Sequence, residues 1–214
     1  LTLVEPFGQN PAYHNFADGN THIGIHNFHN VLSNILFIIF PILGFIEYIK
    51  NKSNYSISWP FFLLGVFLVA PGSAFYHSDP NNFTLIWDRL PMTIGFIGLT
   101  SFILAEVCKV KKEWILLFIC LSLGFYSVYH WVSFQDLRVY YWIQLTPILS
   151  LIYISITIPT KSLKANYLGG AVTFYIAAKL TERYDVQIFQ SLGYSGHSLK
   201  HLLASFAVFS LFLM

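Results

Sequence analysis

Long apolar stretches separated by short polar segments dominate the pattern of the chain from residue 31 to its end. A membrane-spanning helix needs about 20 mainly apolar residues, and seven stretches approach that length. Their short connections predict antiparallel packing of neighbouring helices. The pattern therefore predicts an all-α membrane protein, a seven-transmembrane-helix bundle that forms one domain over residues 1–214. The predicted helices cover residues 31–48, 58–76, 90–105, 114–131, 139–158, 167–180 and 199–214.

The composition agrees with a membrane location. Hydrophobic residues make up 55% of the chain and charged residues only 10%, which leaves too little polar surface to cover a soluble domain. The net charge of +2 comes from lysines in short loops, so the chain lacks the continuous basic face of a nucleic-acid-binding protein. The abundance of Ile, Phe, Asn and Lys favours a bacterial inner membrane.

Lysines concentrate in alternate loops, which predicts the orientation of the bundle. Loops rich in positive charge face the cytoplasm. The amino terminus is therefore predicted outside and the carboxyl terminus inside, with a polar outer segment over residues 1–29. Because no signal peptide is evident in that segment, we expect the first helix to direct insertion. The lysines that carry this prediction are Lys50, Lys52, Lys109, Lys111, Lys112, Lys161 and Lys164.

Three histidines stand at the predicted outer ends of two helices. His77 ends the second helix, while His197 and His201 begin the seventh, four positions apart and on one helical face. Three neutral imidazoles leave a fourth tetrahedral position for water, an arrangement for which zinc is the usual metal. Ionisable residues in membranes are functional candidates by default. The alternative is that these histidines only form hydrogen bonds at the membrane interface.

Two other polar residues share the predicted depth of the histidines. Asp88 lies near the start of the third predicted helix, and Ser73 precedes His77 by four positions. Structural interpretations stay open for both residues. Asp88 would then pair with Arg89 or cap its helix, and Ser73 would close a contact between helices.

Four short motifs occur in order along the predicted helices. They are Ser33-Asn34, Ser73-xxx-His77, Trp87-Asp88-Arg89-Leu90-Pro91-Met92 and Gly196-His197-xxx-Lys200-His201. This ordered set, which spans nearly the whole chain, resembles the alkaline ceramidase family. That family belongs to a superfamily of seven-helix metal hydrolases that also includes the adiponectin and progestin receptors. The resemblance implies that the three histidines bind zinc and that Ser73 and Asp88 contact the water on the metal.

The expected chemistry agrees with these roles. Zinc lowers the pKa of a bound water from about 15.7 to about 7 and polarises a carbonyl oxygen. The histidine pair lacks the glutamate of an HExxH protease, so Asp88 is the candidate base that passes a proton to the leaving amine. Ser73 would orient the water or donate to the oxyanion. We therefore predict a zinc-dependent intramembrane lipid hydrolase, an enzyme that cleaves the amide of ceramide or a related N-acyl lipid.

Other functional classes remain open for such a chain. A seven-helix receptor or zinc-binding scaffold would keep the metal without turnover, and an esterase would act on a phospholipid or glycolipid. In every case the expected partner is a membrane lipid. The sequence does not predict an oligomeric state.

The polar outer segment departs from the ceramidase pattern. The resemblance implies a calcium site in an acidic cluster before the first helix, yet only Asp18 is acidic there and Asn27 replaces a glutamate. A calcium site would therefore be short of negative charge. Asp18, Asn20 and His29 form a candidate second metal site, and a polar flap over the pocket is the alternative.

Candidate substrate contacts lie at the outer ends of the fourth and fifth predicted helices. They are His130, Tyr140 and Tyr141, and either tyrosine is a possible oxyanion donor. Packing in an interfacial aromatic belt is the alternative for His130. Lys179 and Glu182, three positions apart, are predicted to form an ion pair.

Overall fold

The computed structural model describes residues 4–51, 56–157 and 164–213. Within these ranges the chain is helical, without a β-strand, and a 3-10 turn at Pro11–His14 precedes the first long helix. The eight helices are α1 Phe28–Lys50, α2 Trp59–Ser78, α3 Asn82–Cys108, α4 Glu113–Phe134, α5 Arg138–Thr157, α6 Ala165–Arg183, α7 Asp185–Leu192 and α8 Gly196–Phe212. Two orientation lysines, Lys52 and Lys161, and the predicted helix ends at residues 158 and 214 lie outside the described residues.

Each predicted helix has a counterpart, but some begin earlier than predicted and one helix is additional. Helix α3 begins at Asn82 instead of residue 90, because Asn81 and Thr84 form a reciprocal capping box at its start. Helix α8 begins at Gly196 instead of residue 199, because the Ser195 side chain caps it. The short helix α7 was not predicted. Asp88 therefore lies inside α3, where it cannot be the helix cap.

Five of the described helices, α1 to α5, are long and apolar enough to cross a membrane. Their outer faces carry exposed apolar side chains, such as Phe118 at 70% and Ile156 at 76% exposure. Extended apolar surface of this kind favours contact with lipid. Helices α6 and α8 are shorter or more polar, and they pack against each other. The chain is therefore a helical bundle with membrane-spanning character.

Helices α2 and α3 approach backbone to backbone, which sets the position of the candidate site. A Cβ atom added to Gly65 would lie 2.1 Å from the Gly95 nitrogen. A Cβ atom added to Gly72 would lie 2.1 Å from the Trp87 carbonyl oxygen. Such close approach is typical of small residues between membrane helices. Because Ser73 and Asp88 directly follow Gly72 and Trp87, the packing brings these two predicted site residues together.

The main core takes residues from six helices, and α4 contributes none of the described members. It includes Phe37 of α1, Leu63 of α2, Phe102 of α3, Leu151 of α5 and Leu211 of α8, and α6 also contributes. A second cluster lies where α2 and α4 end and α3 and α5 begin. Its members are Tyr76, Leu85, Val128, Trp131, Leu137 and Tyr140, with Tyr13 and Phe16 packed against them.

Residues 4–27, which we call the strap, cross this same end of the bundle. The Phe7 carbonyl accepts a hydrogen bond from the Leu137 N–H at 2.9 Å. Nδ1 of His14 lies 2.9 Å from the Tyr76 hydroxyl, and the Ala17 N–H donates to the Asp185 carboxylate at 2.9 Å. The strap is therefore tied to α2, α5 and α7 and covers the end where the histidines lie.

Candidate metal centre

The three predicted histidine ligands meet in the interior of the bundle. His77, His197 and His201 are 1%, 4% and 2% exposed, respectively. Their ring centroids lie 4.8 to 4.9 Å apart, and each ring presents a nitrogen within 4.8 Å of the others. Among the described residues, this is the one group of three or more His, Cys, Asp or Glu side chains with such spacing. The arrangement can hold a metal ion.

The spacing of two ring nitrogens fits zinc. Nε2 of His77 and Nε2 of His201 lie 3.3 Å apart. Two nitrogens at zinc–nitrogen distances of about 2.0–2.1 Å in a tetrahedral site also lie about 3.3 Å apart. The other nitrogen of His77, Nδ1, is buried without a hydrogen-bond partner among the described residues. The same spacing also accommodates a direct hydrogen bond from His77 to His201, which is the arrangement expected of a metal-free scaffold.

Ser33 contacts one ring nitrogen of His201 and is positioned to select its tautomer. The Ser33 hydroxyl donates its single proton to the Asn30 carbonyl at 3.0 Å and lies 2.8 Å from Nδ1 of His201. A Ser33 hydroxyl that keeps its proton on the Asn30 carbonyl accepts the Nδ1 proton of His201. Nε2 of His201 is then an unprotonated donor for a metal, as is usual where an outer hydrogen bond orients a histidine ligand. A 3-10 segment of α1, Ser33–Ile35, carries this serine.

Lys200 is the residue least compatible with a metal ion, because its ammonium group contacts one of the three histidines. Its Nζ atom lies 3.1 Å from Nε2 of His197 and 3.0 Å from the Glu182 carboxylate. A metal that binds Nε2 of His197 must displace the ammonium group, which keeps Glu182 as a partner. Lys179 also pairs with Glu182, which confirms that predicted ion pair and extends it to a network of three charges.

The start of α8 is held by side chains from other parts of the chain. The Asp185 carboxylate accepts hydrogen bonds from the Ser195 hydroxyl at 2.7 Å and from the His197 N–H at 2.9 Å. The Ser198 hydroxyl donates to the Asn30 side-chain oxygen at 2.7 Å. Asp185 and Asn30 therefore fix the turn of α8 that carries two of the histidines.

Asp88 and Ser73 line a cavity of about 200 Å³ that His201 also lines. No ion pair joins Asp88 to Arg89 among the described residues, so that alternative for Asp88 is not observed. Most of the remaining lining is apolar and includes Phe62, Val66, Leu99, Leu151 and Leu211. The cavity thus joins polar groups at the histidine end to a hydrophobic chamber between the helices.

The predicted substrate contacts separate into two groups. Tyr140 and Tyr141 both line the cavity, whereas His130 is absent from its lining. Nδ1 of His130 faces the Asp136 carbonyl at 3.3 Å, and its ring packs beside Tyr126. The position of His130 thus agrees with the aromatic packing that was its alternative interpretation.

Two strap residues at the site were not predicted from the sequence. The Phe16 ring contacts the rings of His77 and His197, with centroids 4.7 and 4.6 Å away. Tyr13 lines the cavity, and burial raises the pKa of its hydroxyl well above the usual value, so the hydroxyl stays protonated at neutral pH. No local sequence pattern distinguishes these two aromatic residues from their neighbours.

The candidate second metal site is only partly assembled. Nδ1 of His29 lies 2.6 Å from one Asp18 carboxylate oxygen, and the other oxygen accepts the backbone N–H of Asn20 at 3.0 Å. Asp18 is buried, and both of its oxygens have protein partners. The observed contacts are those of a polar turn in the strap that is tied to the start of α1.

No protein-family model matches this chain, and no curated protein matches it. The resemblance to alkaline ceramidases therefore rests on the ordered motifs and stays a prediction.

Proposed function

We propose that this protein is a zinc-dependent intramembrane hydrolase that cleaves the amide bond of ceramide or a related N-acyl lipid. The observation that carries the proposal is a group of three buried histidines, one of which, His201, lines a mainly apolar cavity together with Asp88 and Ser73. Pockets that combine an apolar lining with a few convergent polar groups are typical of small-molecule sites. The apolar part suits acyl chains, and the polar end suits the bond to be cleaved.

The roles of the residues follow from their positions. His77, His197 and His201 would hold the zinc ion, which when bound acidifies water and polarises a carbonyl group. Asp88 would take a proton from the attacking water and pass it to the leaving nitrogen. Ser73 would orient the Asp88 carboxylate or donate to the developing oxyanion. Phe16 packs against two of the histidines and would exclude bulk water from the reaction.

We also propose seven membrane spans, with the amino terminus outside and the histidine end at the outer face of a bacterial inner membrane. Lys50 and Lys109 lie at the ends of α1 and α3, and Lys164 precedes α6, all remote along their helices from the histidine end. That distribution favours a cytoplasmic location for these loops.

The test compares metal content and lipid hydrolysis in purified wild type, His201→Ala, Asp88→Asn and His130→Ala. We expect about one zinc per wild-type chain, loss of zinc in His201→Ala, and normal zinc in His130→Ala, the matched histidine outside the cavity. Asp88→Asn should keep zinc and lose about 10²- to 10⁴-fold in hydrolysis rate. Ceramide and a phospholipid, offered side by side, separate an amidase from an esterase.

The second candidate is a receptor or scaffold that does not turn over lipid. The contact between Lys200 and His197 favours it, because an ammonium group there competes with a metal ion for the same nitrogen. Bound zinc without cleavage of any lipid would support the scaffold and refute the hydrolase. Wild-type protein that takes up no zinc after exposure to zinc would refute the hydrolase and would support a receptor whose histidines hold no metal.

A further inference from the structure

Arg89 is a buried cation that aromatic rings hold in one orientation. The residue is 5% exposed, and its guanidinium carbon lies 4.0 Å from the Trp131 ring centroid and 4.8 Å from that of Tyr140. Nη2 donates a hydrogen bond to the Gln9 side-chain oxygen. Stacking and this bond fix the plane of the guanidinium group.

The Arg89 side chain lacks an acceptor that its chemistry requires. Its Nη1 atom is buried and has no hydrogen-bond partner among the described residues. The Trp131 ring beneath it carries a second buried donor, Nε1, that likewise lacks a partner in the described part of the chain. Both groups donate and neither accepts. An unpaired buried charge is unfavourable, so this location calls for an oxygen acceptor, preferably an anionic one.

The location belongs to the cavity already described. Arg89 lines it together with Asp88, Ser73 and His201. Three cationic and two acidic side chains line the cavity among the described residues, a surplus of one positive charge. The other two cations, Lys179 and Lys200, both pair with Glu182, and no carboxylate lies within ion-pair distance of Arg89 in the described ranges. Lys179 and Lys200 share the single charge of Glu182, so Arg89 is the one of the three cations that has no ion pair among the described residues.

We infer that Arg89 binds an anionic group of the lipid ligand, a phosphate or a carboxylate, beside the histidine centre. A planar guanidinium with a free edge matches the paired oxygens of either group. The identification of this ligand as the substrate rests on the proposed hydrolase function. The anion subsite and the hydrolase function together predict an acidic lipid substrate, which is preferred over a neutral ceramide. Arg89 is then a specificity-determining residue.

The test measures binding by calorimetry on full-length protein in neutral detergent. The probes are decyl phosphate, decanoate and the neutral decanol, which share a chain and differ in head group. We expect wild type to bind at least one anion more tightly than decanol, and the tighter anion identifies the head group. Arg89→Gln should weaken that binding about tenfold or more, the amount expected for a charge-assisted hydrogen bond. Lys50→Gln is the control: it removes one positive charge at the end of α1 that is remote from the cavity, and it should leave anion binding unchanged.

Two further variants keep the test decisive if Arg89→Gln does not fold. Gln9→Glu places a carboxylate against Arg89 without changing side-chain size, and it should weaken anion binding to a similar degree. Arg89→Lys keeps the charge and loses the planar fork, so it should bind with intermediate affinity. The inference is overturned if decanol binds as tightly as the anions, or if Gln9→Glu binds them as wild type does.

Failure of the anion subsite is distinguishable from failure of the hydrolase proposal. Anion binding that depends on Arg89, in a protein that cleaves no lipid, supports the subsite and refutes the hydrolase. Zinc-dependent cleavage of ceramide with no anion preference supports the hydrolase and refutes the subsite.

Discussion

Ser33→Ala is the most direct test of how the chain prepares a metal ligand. The substitution removes the hydroxyl that lies 2.8 Å from Nδ1 of His201. His201 would then lose the acceptor that holds its proton on Nδ1 and keeps Nε2 free. We expect weaker zinc binding, because the imidazole must adopt the correct tautomer and orientation without this support.

The expected magnitude follows from the two hydrogen bonds that the Ser33 hydroxyl makes. Removal of an outer hydrogen-bond partner of a histidine ligand typically lowers metal affinity about 10- to 100-fold. That range corresponds to about 1.4–2.7 kcal/mol. The hydroxyl also donates to the Asn30 carbonyl at 3.0 Å, so a loss of about 1 kcal/mol in the free energy of unfolding should accompany the weaker binding.

Zinc affinity is measured by competition with a chromogenic chelator on purified protein. Ser101→Ala is the matched control, because Ser101 is fully buried in α3 and its hydroxyl has no partner among the described residues. The control also loses a buried hydroxyl oxygen, but that hydroxyl makes no hydrogen bond to a histidine. It should bind zinc as wild type does.

Equal zinc affinities for wild type and Ser33→Ala would refute the reasoning about the His201 tautomer. A Ser101→Ala protein that loses as much affinity as Ser33→Ala would refute it too, since the effect would then come from general loosening of the bundle. A larger loss in Ser33→Ala, with the control unchanged, is the expected result.

Two other substitutions test the packing and the cover of the site. Gly65→Ala places a methyl group 2.1 Å from a backbone nitrogen of α3, so we expect a loss of about 1–3 kcal/mol in the free energy of unfolding by denaturant titration. Gly169→Ala, which meets nothing within 4 Å, should instead stabilise α6 by about 0.5–1 kcal/mol, and equal effects at both positions would contradict the packing argument. Phe16→Ala uncovers two histidine rings and should let a chelator remove zinc several-fold faster; an unchanged rate would show that the strap does not limit access.

The helices and the meeting of the histidines were predictable because each depends on a regular property of the sequence. Apolar stretches of nearly membrane length indicated the order of the helices, and alternation of their direction placed His77 level with His197 and His201. The spacing of four residues then put the last two on one face. Helix starts were less predictable. Polar and charged residues in the first turns of α3 lower its hydropathy, so the apolar pattern placed its start too late. The capping residue Asn81 was nevertheless visible in the sequence.

The remaining parts of the site depend on contacts between residues far apart in the chain. Phe16 reaches histidines 61 and 181 positions away, through a strap with no regular secondary structure around that residue. Ser33 was predicted only as part of a motif, and its bond to His201 spans 168 positions. Neither contact has a local pattern that hydropathy or helical spacing can reveal, because the partners become neighbours only after the bundle closes.

Lys200 shows how the network of charges reconciles a cation with a metal centre. A lysine between two histidine ligands would repel a divalent ion if its charge stood alone. Here Glu182 binds both Lys200 and Lys179, so the ammonium group keeps a carboxylate partner when it leaves His197. The energetic penalty for metal binding is then the loss of one hydrogen bond to a neutral ring, together with repulsion from the one positive charge that Glu182 leaves uncompensated on the two lysines. Glu182 is therefore as necessary to the proposed zinc site as a direct hydrogen-bond partner of a ligand would be, although it contacts none of the three histidines itself.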